Sequence, residues 1–268
     1  MVAQRLALGI DVGGSGIKGA PVDLDAGEFS TERRRIATPK KSTPQNVAEV
    51  IAELVEHFAD QLTPQTPVGI TMPAIVHHGV TMSAANIDDA WIGFEAEKLL
   101  EKTLQRDVYL VNDADAAGVA ESHFGAAKGA QGLVILTTLG TGIGSAMIHN
   151  GVLIPNSELG HLEIDGHDAE SRAASRIKDE EGLSYKKWAK RLQRYYEVVE
   201  FLFSPDLFVV GGGVSRDADE FLPLLKLRTP IVPAKLRNTA GIIGAAHLAA
   251  DLQERGLSHV TPEIDSNA

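Results

Sequence analysis

At 268 residues, with 44% hydrophobic and 23% charged side chains, the chain has room for one large α/β domain or two modest ones, and neither wholesale disorder nor a fibrous architecture fits. The absence of cysteine removes disulfides, thiolate nucleophiles and cysteine-based metal sites, and a formal charge of −11 disfavours a general nucleic-acid or anionic-membrane surface. No apolar stretch approaches the ~18 residues of a membrane span, and Met1-Val2-Ala3-Gln4-Arg5 leads into only a short apolar run, so a cytoplasmic location is expected.

The first predicted element is a strand over Arg5 to Asp11, followed by Gly13-Gly14-Ser15-Gly16, where glycine permits positive φ, and a second strand from Ile17 to Asp23. This reads as a hairpin rather than a strand feeding a helix, which weakens a dinucleotide-binding reading. Phe29 to Ala37 is a third strand candidate, with Arg33, Arg34 and Arg35 alternating between its faces as on an exposed edge. Val47, Val50, Ile51, Leu54, Val55 and Phe58 recur at helical spacing and predict a helix to about Leu62. Pro64 and Pro67 bracket a turn before a buried strand, Val68 to Thr71, that ends at Met72-Pro73-Ala74. Next come a helix over Ala96 to Gln105, a strand over Asp107 to Val111 and an alanine-rich helix over Ala114 to Phe124. Asn112-Asp113 stands just past the strand's end, where ligands of α/β folds gather.

The second half repeats the opening device: a strand over Gly132 to Thr138, the turn Leu139-Gly140-Thr141-Gly142-Ile143-Gly144, and a strand over Ser145 to His149. Helical patterns cover Ala169 to Lys178, Tyr185 to Phe203 and Ala240 to Leu252. A strand over Asp206 to Val210 and Gly211-Gly212-Gly213 separate the last two, and the tail beyond Leu257 reads as frayed.

Glycine turns at strand ends expose consecutive backbone N–H groups that can hold phosphate oxygens. Either turn alone would pass as a connector; the pair suggests a polyanionic ligand. Neither G-x-G-x-x-G nor G-x-x-x-x-G-K-[ST] occurs, which disfavours Rossmann and P-loop sites. Asp11, beside the first turn, is placed either to hold Mg²⁺ against phosphate oxygens, directly or through water, or simply to cap the turn.

Asp11-Val12-Gly13-Gly14-Ser15-Gly16-Ile17-Lys18 resembles the first phosphate motif of the superfamily that joins sugar kinases with actin-like ATPases, and Leu139 to Gly144 resembles its second. Asn112-Asp113-Ala114-Asp115-Ala116-Ala117 and Glu158-Leu159-Gly160-His161 resemble the sugar-binding and catalytic motifs of ROK-family hexose kinases, and Gly211-Gly212-Gly213 is similar to their nucleotide-side glycine motif. The five motifs stand in family order between about Leu6 and Ala250. The resemblance implies an α/β, two-lobed actin/hexokinase-like ATPase fold of the ribonuclease H-like type, with residues 1–111 plus 238–268 as the small lobe and 112–237 as the large one. It implies phosphoryl transfer to the 6-hydroxyl of glucose, with mannose as a further substrate, Mg²⁺ as the metal and a homodimer as the assembly. Details such as Ser157-Glu158-Leu159-Gly160-His161 are similar to the family's polyphosphate-using glucokinases and glucomannokinases, which points to inorganic polyphosphate, ATP or both as donor.

By the same resemblance Asp113 is the general base, and Asn112, Glu158, His161 and Glu170 bind the sugar with it, while Asn86 either contacts the sugar or caps its loop. Asp11, Gly13, Gly14, Ser15, Gly16, Lys18, Thr138, Gly140, Thr141, Gly142, Gly144, Gly211, Gly212 and Gly213 take the phosphates and nucleotide. The chemistry agrees for Asp113, because an attacking hydroxyl loses its proton during phosphoryl transfer and a carboxylate within hydrogen-bond reach accepts it. Many ROK proteins place a cysteine-rich zinc site after the Gly-His element; zinc is not expected here, and the segment carrying Glu170 needs other support. Lys186, Lys187, Lys190, Arg191 and Arg194 gather on one side of a predicted helix, a track for polyphosphate or an ordinary solvated face. The alternative is a ROK-type sugar-binding regulator without kinase activity; it would need an N-terminal helix-turn-helix, for which the few residues before the first strand leave no room.

Overall fold

The computed structural model describes residues 5–259, so most of the tail expected to fray lies outside the described residues. The chain forms two compact units, one running to Ala120 and resuming at Gly241, the other Glu121–Ala240.

In the first unit β1 (Leu6–Gly13) and β2 (Gly16–Asp23) make the expected antiparallel hairpin, in register from Leu6 opposite Asp23 to Gly13 opposite Gly16. Two short strands, β3 (Glu28–Phe29) and β4 (Arg34–Ile36), pair separately with β2. The single strand expected over Phe29 to Ala37 is therefore corrected. Ser30 to Arg33 face only Ala20 and Pro21 between the paired positions, and the extra residues split the ladder as a bulge does. Helix α1 (Pro44–His57) stops short of the expected Leu62, because the Phe58 amide turns back to the Val55 carbonyl at 3.1 Å and a 3₁₀ turn, Ala59–Gln61, follows.

Strand β5 (Val68–Met72) is buried throughout and pairs parallel with β1. After it, β6 (Val76–His77), β7 (Val80–Thr81) and β8 (Phe94–Glu95) form a small separate sheet that the sequence pattern did not reveal. Helix α2 (Ala96–Leu104) ends at Gln105 in the left-handed conformation. Strand β9 (Tyr109–Asn112) then runs directly into α3 (Asp113–His123), so Asn112 is the last strand residue and Asp113 the first helical one. The main sheet has the order β3-β2-β1-β5-β9, and Leu8, Ile10, Ile51, Leu54, Phe58 and Trp91 fill its core.

The second unit repeats the plan. Strands β10 (Leu133–Leu139) and β11 (Ile143–His149) form an antiparallel glycine-turn hairpin, extended by β12 (Val152–Ile154). A two-stranded hairpin, β13 (Glu163–Ile164) and β14 (His167–Asp168), follows. The helix expected over Ala169 to Lys178 is two, α4 (Glu170–Ala173) and α5 (Ser175–Glu180), separated where Ala174 takes an extended ψ of 150°. Helix α6 (Tyr185–Phe203) has the expected bounds and buries Trp188, Tyr195 and Tyr196 against Phe208 and Phe221. Strands β15 (Leu207–Gly211) and β16 (Ile231–Pro233) complete a sheet of order β12-β11-β10-β15-β16.

Glu121 is buried in this second unit and accepts from three backbone amides, those of Ala126 (2.6 Å), Lys235 (3.1 Å) and Leu236 (2.6 Å). Helix α7 (Ala240–Glu254) returns the chain to the first unit and meets the sheet at backbone level. Gly9 and Gly69 are register neighbours on β1 and β5; a Cβ on the first would overlap the Ile242 carbonyl, and one on the second the Ala245 carbonyl. On its other side Gly244 touches the Ala116 carbonyl of α3 just as closely. Among the described residues no helix is long and apolar enough to cross a membrane.

Candidate active site

The first glycine turn closes the β1–β2 hairpin with Gly14 and Ser15 exposed at its tip. Positive φ was the expected reason for its glycines, and the structure corrects it: Gly13, Gly14, Gly16, Gly140 and Gly142 all stand outside the left-handed region. At Gly14 what requires glycine is the closeness of the Asn86 backbone, whereas at Gly16 and Gly142 a Cβ would displace a side-chain end. A Cβ on Gly14 would press on the Asn86 carbonyl, one on Gly16 on the Arg35 guanidinium, and one on Gly142 on the Glu170 carboxylate. The turn's carbonyls are braced from outside, Ser15 by Arg35 Nη2 at 2.6 Å and Gly13 by the Thr38 hydroxyl at 2.5 Å. Neither brace was legible in the sequence.

Asp11 lies at the root of this turn. Its Oδ1 accepts from the Thr71 hydroxyl at 3.0 Å, and its Oδ2 from Lys18 Nζ at 3.2 Å. Lys18 is thus engaged by Asp11 rather than standing alone in the phosphate motif. Gly241, at the start of α7, leaves Asp11 Oδ1 uncovered, since a Cβ there would come within 3.3 Å of it. Each carboxylate oxygen keeps a second lone pair. Asp11 therefore suits a hard cation held through water better than a close ligand cage.

The second turn, between β10 and β11, is braced differently. Gly140 N–H donates to the Gly142 carbonyl (3.0 Å), Arg176 takes the Gly140 and Thr141 carbonyls through its backbone N–H and Nε, and the Ile143 amide donates to Glu170 Oε2 (3.0 Å). Thr138 packs its methyl toward Gly211 at the end of β15. Gly212 takes φ 81° and passes so close to the Leu139 backbone that no side chain fits; Gly213 then opens a 3₁₀ segment, Gly213–Glu220. The second glycine turn and the glycine triplet therefore form one surface within this unit.

On the first unit Asn112 and Asp113 mark the junction of β9 and α3. Asn112 is buried and structural in its contacts: Oδ1 accepts from the amides of Ala114 (2.8 Å) and Asp115 (3.2 Å), and Nδ2 donates to the Ala74 carbonyl (3.1 Å). This uses most of its capacity and leaves one amide hydrogen for a ligand. Asp113 is exposed beside it, with Oδ1 accepting its helix's Ala114 amide at 2.9 Å. Asn86 is exposed with φ 61°, a conformation asparagine tolerates, and its carbonyl faces Gly14.

The remaining sugar candidates lie together on the second unit. The 3₁₀ turn Leu159–His161 rests on β11, where Gly160 approaches the Ile143 carbonyl too closely for a Cβ. Buried Ser145 ties the loop down, its hydroxyl donating to the Ser157 carbonyl (2.7 Å) and accepting from the Leu159 amide (2.9 Å). His161, Asp168 and Glu170 each bring one ligand-type atom within 4.8 Å of the others, close enough to share one polar ligand or cation. Glu170 spends one oxygen on the second glycine turn, so it links that turn to the His161 and Asp168 cluster. Burial, followed by the Glu170 charge, pushes the Glu158 carboxyl up, while the charge of His161 opposes this.

Asp168 was missed in the sequence, because β13–β14 is too short to show a period. Its Oδ2 meets His161 Nδ1 at 2.8 Å, and that hydrogen bond is the main reason the imidazole is held above its ordinary range. Because the folded-state pKa is raised, the stabilisation from this contact is complete below the unfolded value of about 6.5 and fades as pH rises through the folded one. Asp168→Asn should accordingly move the NMR titration midpoint of His161 downward. An unchanged midpoint would remove Asp168 as the group that sets the state of His161.

Comparison with known protein families matches residues 7–176 to the ROK family. The polyphosphate glucokinase of Mycobacterium tuberculosis is 53% identical over 244 residues, covering 91% of each chain. The polyphosphate glucokinase of Mycobacterium leprae is 52% identical over 245 residues, covering 91% of this chain and 74% of that one. Among solved structures, the inorganic polyphosphate/ATP-glucomannokinase of Arthrobacter sp. strain KM superposes with a TM-score of 0.87 at 53% identity, covering 93% of this chain and 99% of that one.

Proposed function

This chain belongs to the ROK family, and from that premise we infer that it is a hexose kinase that moves a phosphoryl group from inorganic polyphosphate or ATP to the 6-hydroxyl of glucose. The observation that carries this reading is the exposed Asp113 at the start of α3, within a chain that shares 53% identity with a polyphosphate glucokinase along nine-tenths of its length.

Asp113 takes the proton of the 6-hydroxyl as the new O–P bond forms. The bridging P–O bond of the donor breaks at the same phosphorus, and the leaving chain, shorter by one phosphate, or ADP keeps the electron pair. The products are hexose 6-phosphate, the shortened donor and one proton. Most of the catalysis is then positioning and charge stabilisation, as is usual for phosphoryl transfer. Glu158, His161 and the remaining amide hydrogen of Asn112 orient the sugar hydroxyls; the amides of the two glycine turns and Lys18 meet the phosphates. Mg²⁺, held at Asp11 through water, would supply neutralisation of phosphate charge. We extend the reading to mannose because the Arthrobacter relative is named for both sugars. The family resemblance supports a homodimer, and the short apolar run after the first residues a cytoplasmic location.

A donor-by-sugar activity matrix tests the reading. Formation of glucose 6-phosphate is expected with long-chain polyphosphate and with ATP, and mannose 6-phosphate with the same donors. No turnover with any pair would end the kinase reading; activity with ATP alone would remove polyphosphate from it.

A further inference from the structure

A polyphosphate donor is longer than the turn that grips its end, so something must hold the rest of it. The lysines and arginines of α6 are one candidate. In the structure their two arginines are already engaged, Arg191 by Glu181 at 2.6 Å and Arg194 by Asp165 at 2.8 Å. A cation held by a carboxylate must give up that partner before it takes a phosphate, which weakens the exchange.

A different set of cations leads away from the first glycine turn. The guanidinium of Arg35 lies across Gly16 and donates to the Ser15 carbonyl, so it stands at the turn itself. Arg35 is the register partner of Lys18, and Arg34 of Gly19, which places β4 alongside β2. In chain direction β4 runs toward the turn, and just past it the Thr38 hydroxyl fastens the chain to the Gly13 carbonyl. Lys40 and Lys41 follow Thr38 by two and three residues, within roughly 10 Å of chain from it.

This segment is anchored. Asn46 Nδ2 donates to the Lys41 carbonyl at 2.8 Å, Trp91 Nε1 to the Ser42 carbonyl at 2.8 Å, and the Asp88 amide to the Ser42 hydroxyl at 3.0 Å. Arg34, Arg35, Lys40 and Lys41 are all exposed, and none makes an ion pair among the described residues. On a chain of net charge −11, four exposed cations without acidic partners bracket the phosphate turn. Arginine forks suit phosphate oxygens bidentately, and lysines add point charge.

We propose that the part of a long polyphosphate outside the first glycine turn binds along β4 and the Thr38-to-Lys41 segment, held by Arg35, Arg34, Lys40 and Lys41. The inference rests on the polyphosphate-kinase reading and adds the path of the chain. ATP, with only three phosphates, ends within the turn and does not reach Arg34 or the lysines.

The test compares the full-length protein with R34Q/K40A/K41A and, as a control, K186A/K187A/K190A. Arg35 is left in place because it braces the turn. For the first variant the KM for long-chain polyphosphate should rise about tenfold and become less dependent on salt, since fewer counterions are released. Its KM for ATP should stay within about twofold, and the α6 control should resemble wild type with both donors. An unchanged polyphosphate KM in the first variant, an equal loss with ATP, or a loss confined to the α6 control would overturn the proposal. Calorimetric binding of long-chain polyphosphate separates the two claims. If wild type binds it at the segment without turning it over, the donor reading fails and the path stands; if wild type does not bind it, both fail.

Discussion

Asp113→Asn is expected to lower kcat by roughly 10²–10⁴-fold, the range for loss of a general base, while glucose binding stays within about twofold. The substitution isolates the proton. Asparagine has the same shape, and its carbonyl oxygen can still accept the Ala114 amide that Asp113 Oδ1 now holds at 2.9 Å, so the start of α3 is preserved. Three features suit the aspartate to proton abstraction. The N-terminus of a helix favours negative charge, exposure lets substrate reach it, and Asn112 beside it locks the strand-to-helix junction with three hydrogen bonds. Calorimetry with glucose alone and initial rates with each donor give the two numbers needed. Near-normal kcat with either donor would eliminate Asp113 as the base; loss of glucose binding with kcat preserved would reassign it to substrate recognition.

The largest effect on stability is expected at Glu121. Truncation to alanine leaves the amides of Ala126, Lys235 and Leu236 without their acceptor in a buried site. An unsatisfied buried donor costs about 1–3 kcal/mol, and entry of water into the space returns part of it, so a net loss of about 4 kcal/mol is expected. At ~2–4 °C per kcal/mol for a protein of this size, the unfolding midpoint should fall by roughly 10 °C. Glu121→Gln keeps one acceptor oxygen and should fall between. Gly125 packs directly on this carboxylate, so Gly125→Ala should reproduce part of the loss by displacing it. A midpoint for Glu121→Ala within about 2 °C of wild type would show that water serves the three amides equally well.

The sequence exposes what local pattern controls. Buried β5 reads as a continuous apolar run, α6 carries its helical period to both ends, and the two glycine turns stand out between strands. Asp113 and His161 stand out as candidates only through motifs that the family resemblance makes specific. What was hidden depends on partners distant along the chain. Strands of two residues, such as β6, β7, β13 and β14, have no period to read, and Asp168 stays invisible with them. Glu121 finds its acceptor role 115 residues away at Leu236, and Thr71 meets Asp11 across 60 residues. The glycines do not share one reason: the Asn86 backbone crowds Gly14, Gly212 combines a positive φ with the close Leu139 backbone, and a Cβ on Gly140 would meet nothing within 4 Å. Likewise the consecutive arginines read as one strand's exposed edge, whereas extra residues opposite Ala20 and Pro21 split that strand and leave Arg34 and Arg35 on a separate piece.

The backbone-level fit of α7 against Gly9 and Gly69 bears on how the protein is made. Strands β1, β5 and β9 leave the ribosome early, but the helix that covers that pair of glycines is translated only after the whole of Glu121–Ala240. At ~5–20 residues per second the wait is on the order of ten seconds, during which the intervening unit, contiguous in the chain, is free to fold first. The amino-terminal half of the first sheet must then be kept from sticking to other nascent chains until its last helix arrives. The unit begun first is therefore the one completed last.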